Sequence, residues 1–266
     1  MVGSIRNELF HQAKEWILEA GEIIRQKMNE PLEVNTKSDA SDLVTTLDRE
    51  IEIFLITHIK QKYPEHLIIS EEGYGDDLQS LDGTVWIIDP IDGTMNFVHQ
   101  KRMFAISIGI YHEGVGEIGL ILDVMSGILY SAKNGAGAYK NDEKLPRLNK
   151  HHSMEEAILC LNHRWLFDND LVNEEAMHRI VNTVRGTRTY GSAALEFAYV
   201  AEGALDGYLS MRLAPWDVAA GMIIVNEVGG ITTNIAGSPV HLLQTNSIMT
   251  CHPSIHRQLI NDYLQS

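Results

Sequence analysis

Trp86-Ile-Ile-Asp-Pro-Ile-Asp-Gly-Thr-Met-Asn-Phe97 carries more information than any other segment of the chain. An apolar run, Val85-Trp-Ile-Ile, reads as a buried strand and ends directly in Asp89. Pro90 follows, so Asp89 is biased toward extended backbone and the chain must then turn. Asp92 comes three residues later, ahead of Gly93 and Thr94. A helix or tight turn starting here lets both carboxylates point into one cavity. It also leaves the backbone N–H groups of Gly93 and Thr94 free to meet an anion. Asp-Gly occurs twice more, at Asp82-Gly83 and Asp206-Gly207, and those pairs read as simple turns. A turn alone does not account for Asp89, which has nothing to offset the cost of burying its charge.

Outward from this segment the pattern is mixed. Helical spacing over 4–28 aligns Leu9, Ala13, Trp16, Ile17, Ala20 and Ile24. A second helix over 46–60 buries Leu47, Ile51, Phe54, Leu55 and Ile59. His66-Leu-Ile-Ile-Ser70 reads as a strand that delivers Glu71 and Glu72. Strands follow over 104–111, 117–124 and 127–132, with turns at 134–139 and 141–142. The remainder reads as a strand over 157–162, helices over 173–184 and 192–202, a strand over 208–211, and helices over 218–228 and 253–264. Interleaved helices, strands and hairpins predict layered α/β packing over a simple doubly wound sheet. The expected division is an N-terminal α+β lobe, 1–147, with most of the acidic ligands, and a C-terminal α/β lobe, 148–266, with Asp217 and the pocket wall.

The 266 residues suffice for a sizeable core. A net charge of −15 argues against sequence-independent nucleic-acid binding, which needs Lys and Arg to neutralise phosphates. No segment approaches the roughly 20 apolar residues of a membrane span, and the opening residues lack the apolar region of a signal peptide. Two separated cysteines, Cys160 and Cys251, read as small buried hydrophobes in a reducing compartment, so a cytoplasmic location is expected. The 12 histidines show no metal-binding spacing, and His151-His152 reads as a solvated loop. Clustered carboxylates without Cys or patterned His indicate a hard, oxygen-preferring cation, Mg²⁺ before Zn²⁺.

Three blocks, in order, give the chain a resemblance to the inositol monophosphatase family of Mg²⁺-dependent, lithium-sensitive phosphatases. They are Ser70-Glu71-Glu72, Asp89-Pro-Ile-Asp-Gly-Thr-Met-Asn-Phe97 and Pro215-Trp-Asp-Val-Ala-Ala-Gly221. Lys37-Ser-Asp-Ala-Ser-Asp-Leu-Val-Thr-Thr-Leu-Asp48 is similar to the family's first block. The resemblance implies an alternating α-β-α-β-α sandwich. It implies one Mg²⁺ on Glu71, Asp89 and the Ile91 carbonyl, a second on Asp89, Asp92 and Asp217, and a looser third near Glu71. Thr94, paired with Asp48, would orient or deprotonate the attacking water. Asp92 and the N–H groups of Gly93 and Thr94 would face the substrate phosphate. Gly191, Ser192 and Ala193 would line the polyol pocket with Ser210, and the assembly would be a homodimer.

Ser210 departs from the Glu that inositol-preferring members often carry there, and Arg212 is close by. A relaxed pocket that admits a second phosphate is therefore an alternative to strict inositol-1-phosphate hydrolysis. Fructose-1,6-bisphosphate, NADP or 3′-phosphoadenosine 5′-phosphate would then be substrates. A reading of another class is a partner-binding regulator that keeps the fold. The intact set of ligands weighs against it.

Overall fold

The structure, a computed structural model, describes residues 1–30, 33–36, 43–148 and 152–264. The N-terminal half runs α1 (Gly3–Lys27), β1 (Val34–Thr36), β2 (Leu43–Thr45), α2 (Thr46–Lys62), β3 (Leu67–Ser70), β4 (Thr84–Asp92), α3 (Thr94–Gln100), β5 (Ala105–His112), β6 (Val115–Asp123), β7 (Ile128–Lys133), β8 (Gly137–Lys140) and β9 (Glu143–Lys144). The rest is β10 (Ile158–Leu161), α4 (Glu174–Thr183), β11 (Gly186–Arg188), α5 (Ala193–Ala201), β12 (Gly207–Leu213), α6 (Pro215–Glu227), β13 (Ile231–Thr233), β14 (Asn246–Cys251) and α7 (Pro253–Gln258).

Strands β3 to β9 form a seven-stranded sheet in sequence order, parallel at β3–β4 and antiparallel elsewhere. A five-stranded sheet has the order β11-β10-β12-β14-β13. The apolar run Val85–Ile88 lacks polar alternation because both faces of β4 are covered. Trp86 and Ile88 pack with Leu9, Ile17 and Ile51 of α1 and α2. Val85 and Ile87 face the other way, toward α5 and α6. Tyr208 and Ile248 extend that same core from the five-stranded sheet, while Leu209, Met211 and Met249 turn outward onto Met177, Ile180 and Ile255. The layers are therefore α1/α2, seven-stranded sheet, α5/α6, five-stranded sheet, α4/α7, the alternating sandwich that the family resemblance implied.

Close approach in the central layer depends on missing side chains. A Cβ on Gly109 would lie 2.9 Å from Ala219 Cβ, and one on Gly119 would lie 2.5 Å from Ala220 O. On the opposite side of α6, a Cβ on Gly221 would lie 2.5 Å from Phe197 Cβ of α5. Helix α6 is thus wedged between the sheet and α5 at backbone distance.

Several local expectations change. Helix α6 begins at Pro215, earlier than the apolar pattern from Val218 suggested, because Pro fits a helix's first position and the Asp217 carboxylate accepts from Ala214 N at 2.7 Å. The C-terminal helix stays α-helical only to Gln258, and Leu259–Leu264 is π-helical. Ala138 and Tyr139, read as turn residues, pair with β7 in β8. Gly207 opens β12 and is not a turn, since Asp206 is buried and its Oδ2 accepts from Ile158 N at 2.7 Å. Strands β13 and β14 were not anticipated. Both cysteines are free and buried, as expected. The stretch 37–42, residues 149–150 just past the expected lobe division at 147/148, and His151 lie outside the described residues.

Candidate active site

The two carboxylates of the opening segment meet through a β-bulge. Asp89 pairs with Ser107, yet Asp92 pairs with Ala105, so three steps on β4 oppose two on β5. In a regular strand, residues three apart point to opposite faces. The extra residue at Pro90-Ile91 corrects that parity, and a bulge also tolerates a proline that cannot donate to the ladder. Gly93 then takes φ +91°, a left-handed conformation that costs glycine little, and caps the start of α3. The N–H groups of a helix's first turn have no intrahelical acceptor, and those of Gly93 and Thr94 stand in that position at the start of α3.

Asp217 enters from α6. One oxygen each from Asp89, Asp92 and Asp217 fall within 4.8 Å of one another, with the two β4 residues buried. Glu71, at the end of β3, stands beside Asp89, where its charge and hydrogen bond act on the Asp89 carboxyl. Burial, followed by the charges of Glu71, Asp92 and Asp217, drives the Asp89 pKa well above the usual carboxylate range. Asp92 rises to about 6, mainly through burial, against opposing hydrogen bonds from Ser192 and Ala194. Carboxylates packed this closely cannot all ionise without a cation among them. An all-oxygen donor set of this kind fits a hard divalent ion.

Beside this cluster, Thr94 Oγ1 lies 3.2 Å from Asp48 Oδ1 and 3.0 Å from Ile91 O. Asp48 is the third residue of α2. Its Oδ2 accepts from Thr45 N at 2.9 Å and from the Thr45 hydroxyl, forming the helix's capping box. Burial lifts the Asp48 pKa to about 7, with the Thr45 hydrogen bonds opposing.

The N-terminus of α5 is committed to Asp92. The Ser192 hydroxyl donates to Asp92 Oδ2, as does Ala194 N at 2.8 Å, while Ala193 N donates to Oδ1 at 3.2 Å. This puts a carboxylate at the positive end of a helix, the favourable placement, and ties the two halves of the chain together at the site. Gly191 N and Tyr190 N donate to Glu196 Oε1 at 3.0 and 2.8 Å. A cavity of 350 Å³ opens from Asp92 and Asp217 past Ser192 to Ser210, Arg164 and Arg212. The structure thus brings together Asp48, Glu71, Asp89, Ile91, Asp92, Gly93, Thr94 and Asp217, with Gly191–Ala193 and Ser210 on the adjoining wall.

Three supporting residues escaped the sequence reading. Glu52, buried in α2, accepts from Ser70 Oγ at 2.7 Å, Glu72 N at 2.8 Å and Tyr74 N at 2.9 Å, which clamps the Glu71 loop. Asn96 Nδ2 donates to Met103 O at 2.8 Å and Tyr190 O at 2.7 Å, bridging the halves. Glu196 holds the 190–191 turn. The available signal was an acidic residue inside an apolar helical stripe, at Glu52 between Ile51 and Leu55 and at Glu196 between Leu195 and Phe197.

Residues 6–266 match the model of the inositol monophosphatase family. The inositol-1-monophosphatase of Bacillus subtilis (strain 168) is 52% identical over 259 residues, spanning 97% of each chain. A solved structure of inositol monophosphatase-II from Staphylococcus aureus matches with a TM-score of 0.88 at 41% identity, covering 97% of this chain and 94% of that one. A structure of SaIMPase-II with 2′AMP bound is similar to the same degree, with a TM-score of 0.88, 41% identity and coverage of 97% and 95%.

Proposed function

The chain belongs to the inositol monophosphatase family of metal-dependent phosphatases, and from that premise we propose that it hydrolyses inositol-1-phosphate to inositol and phosphate with Mg²⁺ as cofactor. The observation that carries this reading is the convergence of Asp89, Asp92 and Asp217 within 4.8 Å, two of them buried, at the mouth of a polar cavity. Glu71, Asp89 and the Ile91 carbonyl would hold one cation, and Asp89, Asp92 and Asp217 a second. Bound there, the cations would neutralise phosphate charge, lower the pKa of water and stabilise the leaving oxygen.

The chain's own groups do the rest. With its proton donated to Asp48, the Thr94 hydroxyl turns its lone pairs outward and can accept the proton of an attacking water. Asp48 cannot swing away, because its second oxygen is held by Thr45. The N–H groups of Gly93 and Thr94 would donate to the substrate phosphate. Ser210, Arg164 and Arg212 border the space for the rest of the substrate. The lobe division at 147/148 and a cytoplasmic location, read from the element pattern and the two cysteines, belong to the same reading, as do a homodimer and inhibition by Li⁺, which rest on family resemblance. No helix of the described residues is long and apolar enough to cross a membrane.

The two arginines and the short Ser210 favour a second reading of specificity, in which the pocket also admits substrates with a further anionic group. The 2′AMP complex of the similar SaIMPase-II supports a pocket relaxed enough for a nucleotide monophosphate; its single phosphate does not bear on the further anionic group.

The deciding experiment is phosphate release from inositol-1-phosphate, with and without Mg²⁺, by the unsubstituted protein and by Asp89→Asn. Mg²⁺-dependent turnover that the substitution abolishes in a folded protein is expected. A folded, Mg²⁺-loaded protein that releases no phosphate from any small phosphomonoester would overturn the proposal.

A further inference from the structure

The five-stranded sheet has a second cluster of ligating side chains at the end away from the phosphate site. Strands β12 and β14 are antiparallel with Gly207 opposite Cys251, and β10 runs parallel to β12 with Leu159 opposite Gly207. This register places Asp206, just before β12, beside His252, just after β14. Ser210, Arg212 and Asp217 lie in the other direction along β12 and beyond it. His152, ahead of β10, completes the group. One oxygen of Asp206 and one ring nitrogen from each histidine fall within 4.8 Å of one another.

From this geometry we propose that His152, Asp206 and His252 bind a single transition-metal dication of the zinc class. Two imidazoles and one carboxylate form a three-ligand set that suits zinc with water in the fourth position, and a poor one for Mg²⁺. The site is built. Asp206 Oδ2 accepts from Ile158 N at 2.7 Å, which aims Oδ1 at His152 Nδ1, also 2.7 Å away. A carboxylate ligand held by an outer hydrogen bond is the arrangement that sharpens metal sites. His252 N donates to Asp206 O at 3.0 Å. His152 is fixed through its backbone, its N–H donating to Ser254 Oγ at 3.1 Å and its carbonyl accepting from Gln258 Nε2 at 3.1 Å. The two rings lie 4.9 Å apart, and His152 Nδ1 and His252 Nε2 are both shielded from solvent.

Ligands of one tetrahedral zinc stand about 3.3 Å apart. The 2.7 Å contact therefore opens by roughly half an ångström as the ion enters, a shift within reach of side-chain torsions. A bound ion would brace three chain segments, ahead of β10, ahead of β12 and at the start of α7.

The test uses the purified full chain. After treatment with chelator, it is dialysed against Zn²⁺ in a large excess of Mg²⁺, and metal is counted for the unsubstituted protein, Asp89→Asn, His152→Gln and His252→Gln. The expected result is one tightly held zinc in the first two and a loss of at least about tenfold in affinity in each histidine variant. Zinc should also raise the Tm of the unsubstituted protein by at least about 3 °C. Absence of retained zinc in the unsubstituted protein overturns the proposal, as does retention that neither histidine variant weakens. Should His252→Gln fail to fold, His152→Gln decides, since its ring is partly exposed. The visible spectrum of the Co²⁺-loaded unsubstituted protein is an independent readout. Strong tetrahedral bands support the site, and only weak octahedral bands refute it. None of these measurements uses phosphatase turnover, so the outcome is separate from that of the proposed activity.

Discussion

The carboxylate end of the cavity and its far wall are built differently. Asp48, Asp89, Asp92 and Thr94 are each less than 10% exposed, and they sit on a bulged strand and two helix starts. Hydrogen bonds from both halves of the chain fix them. The far wall comes from a 3₁₀ turn at His163–Leu166, the 189–191 segment and the end of β12, where Arg164 and Arg212 are exposed. Groups that must stabilise a transition state need geometry that survives thermal motion, whereas groups that sort substrates can tolerate adjustable side chains. The end with fixed geometry should therefore govern rate, and the wall should govern choice.

The largest effect tests the first half of that contrast. Asp89→Asn should lower kcat by roughly a thousandfold on every substrate, as expected when a charge that holds catalytic cations is removed. A loss confined to one substrate would break the comparison. Thr94→Ala should cost about a hundredfold in kcat with little change in KM, and Thr94→Ser should recover most of it because the hydroxyl is what acts. Glu52→Gln leaves the Glu71 loop in place but weakens its clamp. A fall of about tenfold in metal affinity, read by titrating activity against Mg²⁺, is expected there. On the wall, Arg212→Ala should change kcat/KM for a bis-anionic substrate several-fold more than for inositol-1-phosphate. Equal losses on both would place Arg212 outside specificity.

The smallest effect is one of stability against pH. Burial raises Asp48 to about 7, Asp92 to about 6, Asp89 well above the usual carboxylate range, and Glu52 above its ordinary value. Between about pH 4 and 7 the folded, metal-free protein then binds more protons than the unfolded chain, so its stability falls as pH rises. Melting scans in chelator should show Tm declining across that window. Added divalent cation, which requires the ionised carboxylates, should raise Tm more at pH 7 than at pH 5. A flat profile would mean these carboxylates are not the strained groups their burial implies.

How much of this was legible in the sequence follows the same divide. Val85–Asp89 and the Pro-Ile-Asp-Gly-Thr turn announce themselves locally, because an apolar run ending in an acid is costly without a purpose. The parity correction at Pro90-Ile91 was not legible, since a bulge is defined against a partner strand. Glu52 and Asn96 escaped because their partners are distant in sequence, at Ser70 to Tyr74 and at Tyr190. Strand β14 was missed for a related reason. Asn246–Cys251 is short and begins with polar residues, and its place inside the sheet depends on β12 and β13 pairing with it. His152 does lie in a loop, but its ring is only partly solvated because it meets Asp206, a residue that read as part of a simple turn.

The bare faces of Gly109, Gly119 and Gly221 have a consequence for anyone wishing to borrow this chemistry. Asp217 rides on α6, and the start of α5 grips Asp92. The gap between those carboxylates is consequently calibrated by how tightly one helix lies against the sheet and its neighbour. Three hydrogen atoms in place of three methyl groups act as the spacer. Copying the acidic residues onto another scaffold would reproduce the reagents without the caliper. A transplanted site would have to import those empty positions along with the side chains it was meant to display.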